Sequence, residues 1–224
     1  HQWWGQGVSF ESYKDQWLSE GLSQFAATSY LRRKDGERSC AAILKKFARW
    51  TEKKSFRGPI AMGSRLSFYD FEAYQSLVYN KAAMALFMLQ DLLGRETFEA
   101  GLRAFFEKYK FRAARTGEFV AAMEAASGRD LKAFFQGWFS SYELPEVQTT
   151  WTETPVPEGV RLDIRVSQVK GRFVFPFWVE WNRSGESGRR MFVVDETTEE
   201  ISLTLPRRPD KVRFNPDKAV PGKF

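Results

Sequence analysis

Apolar residues recur at helical spacing from about residue 15 to residue 141, and from about residue 146 they alternate with polar ones. Residues 2–14 carry Gly5 and Gly7 among polar positions and read as the end of a helix followed by a loop. The spacing predicts a helix over about 15–33, with Trp17, Leu18, Leu22, Phe25, Tyr30 and Leu31 grouped on one side. Asp15 would be its N-cap or first-turn acid. A second helix is predicted over about 37–53, and residues 55–69, with Gly58, Pro59 and Gly63, read as loop. A long apolar helix follows over about 71–93, stopped at Gly94. The next covers about 96–109, with Phe98, Leu102, Phe105, Phe106 and Tyr109 as its buried stripe. Thr116 reads as the cap of a helix over about 117–126 that stops at Gly128, and a last helix covers about 129–141.

Residues 142–146 form a junction, after which Leu162, Ile164 and Val166 alternate with Asp163, Arg165 and Ser167. Phe173, Phe175 and Phe177, then residues 191–194 and 201–205, continue the series, with turn residues roughly every ten positions. Such a pattern is that of an antiparallel sandwich. The fold class is therefore read as α+β, with a mainly helical part over 1–145 and a small β-sandwich over 146–224.

Bulk composition narrows the classes. A 43% apolar and 16% aromatic content, with 21 Phe and 8 Trp, belongs to a chain with a packed core rather than a disordered one. No run of 18 apolar residues occurs, so no membrane span is expected in this chain. The net charge of +6 comes from mixed surface signs. Its basic clusters, such as Arg32-Arg33-Lys34 and Lys45-Lys46, do not interleave with aromatics, so no nucleic-acid partner is expected. The single Cys40 excludes an internal disulfide and lies in an apolar stretch, where a small core residue is the natural reading. One free Cys suits a reducing compartment and a periplasmic one alike.

The candidate chemistry sits at the start of the chain. His1 and Glu20 read H-x18-E, the rear portion of the zinc-protease signature H-E-x-x-H-x18-E. The first His and the general-base Glu of that signature would precede residue 1. Zinc in hydrolases takes three protein ligands and leaves a fourth position open for water. An eighteen-residue gap carries the chain out of one helix and back along a second, where Glu20 can supply a ligand. Taken alone, the H-x18-E spacing is a weak signal: Glu20 then reads as an exposed helix residue and Tyr79 as a core aromatic with a satisfied hydroxyl.

Four segments in one order widen the picture: His1-Gln2-Trp3-Trp4-Gly5, Trp17-Leu18-Ser19-Glu20-Gly21, Gly58-Pro59-Ile60 with Gly63, and Val78-Tyr79-Asn80-Lys81-Ala82. They resemble the membrane alanyl aminopeptidase (aminopeptidase N) group of zinc metallopeptidases, whose pattern is H-E-x-x-H-Q-W-W-G, W-L-N-E-G and V-Y-x-K-G. Ser19 stands for the usual Asn and Ala82 for the usual Gly, both small replacements from which little effect is expected. The resemblance is specific over about 1–110, weaker to 145 and architectural beyond.

The resemblance implies the C-terminal, helical half of a thermolysin-like (gluzincin) catalytic domain followed by a small sandwich. It also implies one zinc ion with His1 and Glu20 as ligands and Tyr79 as the catalytic hydrogen-bond donor to the tetrahedral oxyanion. Tyr74 then corresponds to a second active-site tyrosine that contacts substrate, and Asp15 to a carboxylate that orients a ligand. Peptides losing their N-terminal residue are the implied substrates. The upstream Gly-x-Met-x-Asn motif of the family, which holds the substrate amine, is absent from this chain. The 224-residue chain is accordingly expected to be inactive alone, to hold zinc weakly and to self-associate through the face left by the missing portion. The competing expectation is a scaffold or binding protein that keeps the fold without the chemistry. Retention of His1, Glu20 and Tyr79 together argues against that.

Overall fold

The computed structural model describes residues 3–224. His1, one of the two expected zinc ligands, lies outside the described residues, as does Gln2. The first described segment is a set of turns with a short strand β1 (Ser9–Phe10), which pairs in parallel with β2 (Ala113–Ala114). The expected helix end is therefore replaced by a short pairing that ties this segment to the far end of the helical part.

Helices α1 (Trp17–Asp35) and α2 (Glu37–Lys54) form an antiparallel pair. Tyr30 faces solvent rather than the apolar side on which the spacing placed it. The stretch read as loop contains two single 3₁₀ turns and the short helix α3 (Arg65–Tyr69). The long apolar helix is present in three pieces: α4 (Phe71–Tyr74), a π-helical turn at Gln75–Lys81, and α5 (Ala82–Leu93). Nearly every residue of α5 is buried, as expected of a helix apolar all round. It is the centre of the helical part. It ends at Gly94, whose φ of 81° an L side chain would resist. Helices α6 (Arg95–Tyr109), α7 (Thr116–Ser127) and α8 (Lys132–Phe135), the last continued by a π turn at Gln136–Ser140, complete it.

Beyond the junction two three-stranded antiparallel sheets follow. One is ordered β3 (Glu146–Val156), β4 (Gly159–Lys170), β7 (Thr198–Leu205). The other is ordered β6 (Glu186–Val194), β5 (Phe175–Arg183), β8 (Lys211–Phe214). The inward positions are those the alternation marked. Leu162 opposes Leu203 and Ile164 opposes Ile201 across β4 and β7, and Phe177 opposes Phe192 across β5 and β6. Trp151 of the first sheet meets Phe214 of the second at 6.5 Å between ring centroids. Pro176 lies in β5 where only β6 pairs with it, because β8 begins its pairing at Val179. A residue with no N–H to give is tolerated there.

Candidate active site

Glu20 sits in the first turn of α1 and is buried, 8% exposed, which rules out the exposed-helix reading. Tyr79 sits in the π turn and is partly buried. Two features of the backbone bring them together. Tyr79 lies in a π turn, a local widening of the helix that is frequent at functional sites. Gly21, the residue after Glu20, lets α1 approach that turn. A Cβ at Gly21 would stand 2.6 Å from the Cβ of Ala82 and 3.4 Å from the Val78 carbonyl oxygen. Hence α1 and the π turn pack nearly backbone to backbone at the level of the candidate site.

Around this contact a polar group collects. The Tyr79 hydroxyl is pushed well above the ordinary phenol range, first by burial, then by its hydrogen-bonding contact with the Glu20 carboxylate and that carboxylate's charge, then by Tyr74. It is therefore a proton donor at any working pH, not a base. Tyr74 is itself buried and lies edge-on to Tyr79, with ring centroids 5.5 Å apart and planes at 82°. Burial and the Glu20 charge raise its phenol, against hydroxyl contacts with Tyr79 and Gln16 that pull it back. Gln16, one turn before Glu20, donates from Nε2 to the Tyr74 hydroxyl at 2.7 Å.

The start of the Tyr-bearing helix is fixed by Asp70. Its Oδ1 accepts from the Ala73 amide at 3.0 Å, and its carboxylate pairs with Lys54 at 3.0 Å and Arg57 at 3.2 Å. The Ala73 hydrogen bond first, then Lys54, holds the Asp70 carboxyl below its ordinary range. Helix α2 is thus tied by charge to the element that carries both tyrosines. Phe71 stands at 6.0 Å from Tyr74 and, with Phe68 and Tyr69, presents exposed aromatic surface beside the site.

Asp15 does something other than cap its own helix. It lies buried in a 3₁₀ turn before α1, accepts from Ser12 Oγ at 2.6 Å, and accepts from both the amide (2.8 Å) and the hydroxyl (2.9 Å) of Thr116. It therefore closes the N-terminus of α7, a hundred residues away, and Trp17 joins the same hydroxyl through Nε1 at 2.9 Å. Thr116 is the first residue of α7 rather than its cap. Two residues at the site carry roles that pattern reading did not assign: Gln16 and Gly21. Gln16 and Glu20 are four apart on one helix, a spacing that puts them on one face. Gly21 and Lys81 fall inside the segments that carry the family resemblance, but periodicity alone marks neither as more than a helix residue.

Among the described residues no three His, Cys, Asp or Glu side chains gather into a metal site. The donor that is described, Glu20, is a buried carboxylate beside a phenol, a suitable oxygen ligand for zinc once imidazoles complete the set. Cys40 is buried in the core, and burial raises its thiol above the usual range, so it is neither ligand nor nucleophile here.

The chain is 26% identical over 230 residues to glutamyl aminopeptidase of Bos taurus, covering 96% of this chain and 24% of that protein. It is 25% identical over 160 residues to aminopeptidase N of Streptomyces lividans, covering 66% of this chain and 19% of that protein. A crystal structure of Legionella pneumophila aminopeptidase A in complex with aspartic acid superposes with a TM-score of 0.76 at 20% identity, over 99% of this chain and 25% of that one, a likeness of fold. The chain thus spans about a quarter of the length of its similar relatives or less. Residues 1–138, more than half of the chain, match the Peptidase family M1 domain, and the chain belongs to that family.

Proposed function

We propose that this chain is part of a zinc-dependent aminopeptidase and supplies that enzyme with two zinc ligands, His1 and Glu20, and with the oxyanion donor Tyr79. The observation that carries the reading is the buried Glu20 carboxylate against the Tyr79 hydroxyl, held by the close approach of α1 and the π turn at Gly21. Zinc, when bound, supplies Lewis acidity and brings a water towards neutral pKa. What this chain's own residues do can be stated without it. Glu20 offers an oxygen donor whose place is fixed by helix packing. Tyr79 keeps its proton and offers it to the oxygen on which negative charge develops as a peptide carbonyl becomes tetrahedral. Such a donor in a dry site contributes about 10²–10³-fold to the rate. Tyr74, beside it, is the proposed substrate contact, and peptides with a free N-terminus are the proposed substrates.

The test uses a protein of the relatives' full length that carries this chain, with aminoacyl anilides and short peptides as substrates. Release of the N-terminal residue is expected. Tyr79→Phe should lower kcat about 10²–10³-fold with bound zinc unchanged, whereas Glu20→Ala should lower bound zinc measured by elemental analysis. The 224-residue chain alone should hydrolyse nothing. A full-length protein that binds zinc but releases no residue, with Tyr79→Phe indistinguishable from it, would leave the scaffold reading standing instead.

A further inference from the structure

Eighteen residues separate His1 from Glu20, and the proposed reaction gives them no role. From Trp3 to Trp17 this connection repeatedly meets one other stretch, the end of α6 and the link from it to α7. Trp3 stacks on Phe106 of α6, ring centroids 4.9 Å apart, and Trp4 meets the same ring edge-on at 5.8 Å. Gly7 permits that approach, since a Cβ there would stand 2.8 Å from the Phe106 ring. The bonds then advance in step along both stretches. The Phe111 amide donates to the Gly7 carbonyl, the Ser9 amide to the Arg112 carbonyl at 3.0 Å, and the Glu11 amide to the Ala114 carbonyl at 3.0 Å. Asp15 then accepts from the amide and hydroxyl of Thr116, and Trp17 donates to that same hydroxyl. This last bond reaches α1 itself, three residues before Glu20.

The stretch underneath holds a strained residue. Phe111 has a φ of 60°, in the left-handed region, where a bulky side chain is an outlier. Its ring is 85% exposed, so packing does not compensate for the strain. Such a conformation persists where the surrounding structure over-determines it, and here the bonds to Gly7, Ser9 and Glu11 do so. Thr116 ends the series with a hydroxyl that serves two buried groups at once, the Asp15 carboxylate and the Trp17 indole. Without it both would be left short of a partner, the costly case for a hydrogen bond. We propose that residues 111–116 are a positioning template for the metal site. They set where the chain that follows His1 enters α1, and so where Glu20 stands, and Thr116 is the positioning residue that fixes the register through Asp15 and Trp17. Loss of groups that orient metal ligands lowers metal affinity about 10–100-fold. The consequence for zinc rests on the aminopeptidase reading, whereas the template itself does not.

Two measurements test it. The first is amide hydrogen exchange on the 224-residue chain. Thr116→Val keeps the shape and removes the hydroxyl. It is expected to speed exchange at Ser9, Glu11 and Glu20 together, about fivefold or more, the worth of one neutral hydrogen bond, while the amides of α2 keep their rates. Faster exchange confined to Asp15 and Thr116, or an equal rise at every slow amide including those of α2, overturns the template. The second measures zinc affinity of the full-length protein by competition with a chelator. Thr116→Val should weaken zinc about tenfold or more, and Thr116→Ser, which restores the hydroxyl, should recover most of that. Trp178→Phe is the control for general stability, because it breaks an indole bond to Asp91 outside this connection. It should leave zinc affinity unchanged. Zinc held equally well by Thr116→Val, or weakened as much by Trp178→Phe, overturns the inference and leaves the aminopeptidase reading intact. A full-length protein that binds no zinc sinks that reading itself, and the exchange rates then decide the template alone. If Thr116→Val does not fold, Asp15→Asn carries both arms.

Discussion

Two residues from the catalytic candidate, Lys81 shows what the site asks of its surroundings. It is fully buried, and its Nζ donates to the Ser141 carbonyl oxygen at 3.0 Å. A carbonyl carries no charge to offset the ammonium, so burial pushes the Lys81 pKa down to about 7. The ordinary value is 10.5, so the sign of the stability effect is determined. Below about 7 both folded and unfolded chains hold the proton, and the folded one bears the cost of a buried charge. Above it the folded chain has released the proton while the unfolded chain still holds it, so stability rises with pH, by up to about 1.4 kcal/mol per unit. Denaturant unfolding of the 224-residue chain between about pH 6 and pH 9 should show that rise, and Lys81→Met should flatten it and be the more stable variant at the acid end. A flat profile in the unaltered chain would mean that Lys81 pays no such desolvation cost. At this scale the H-x18-E spacing pointed to Glu20 and the family resemblance to Tyr79, and the structure brings the two residues together. Periodicity was silent on Gln16 and on the burial of Lys81, both of which depend on what lies across the packing interface.

The elements were legible as far as their periodicity reached. Helix α2 runs Glu37–Lys54 against an expectation of about 37–53, and the alternating strands bury the residues the pattern marked. Three elements escaped for physical reasons. A π turn changes hydrogen bonding over one or two turns and leaves the apolar pattern nearly unaltered, so Gln75–Lys81 reads as ordinary helix. Helix α3 is five residues long, too short to show a period. The parallel β1–β2 pairing joins two-residue strands a hundred positions apart, and no local signal exists for that. Close helix approach is likewise invisible until both helices are placed. Ala82 stands where the resembling family has Gly, and its methyl is the group that a Cβ on Gly21 would strike at 2.6 Å. The contact is therefore already filled from one side. Gly21→Ala should overpack it and cost about 1–3 kcal/mol in unfolding free energy, and the second substitution Ala82→Gly should restore most of that loss. If the two substitutions are additive in a double-mutant cycle, the approach of α1 to the π turn is not what Gly21 serves.

Over the whole molecule the change from helix to strand at Glu146 does not divide the core. Buried residues from Trp4 to Val220 form one continuous apolar cluster. Specific bonds cross the change as well. Trp138 in the last π turn donates through Nε1 to the Val174 carbonyl at 2.8 Å and packs at a tilt on Phe173, ring centroids 5.0 Å apart. Trp178 of β5 donates to Asp91 of α5 at 3.0 Å, and Lys218 near the C-terminus pairs with Glu52 of α2 at 2.6 Å. These contacts place the sandwich as a back wall for α2 and α5, the elements adjoining the π turn that carries Tyr79. We propose accordingly that 1–145 and 146–224 are two parts of one folding unit rather than independent domains. Removing 146–224 would uncover Trp138 and the outer side of α5 and leave the Asp91 carboxylate without its tryptophan donor. A 1–145 piece should then keep helical far-UV signal but lose near-UV tryptophan ellipticity and a cooperative melt, the signature of collapsed helices without fixed packing. The intact 224-residue chain should unfold in one transition by both signals. A 1–145 piece that melts sharply, with its near-UV spectrum intact, would show that the helical part holds the site by itself and that the sandwich serves something else.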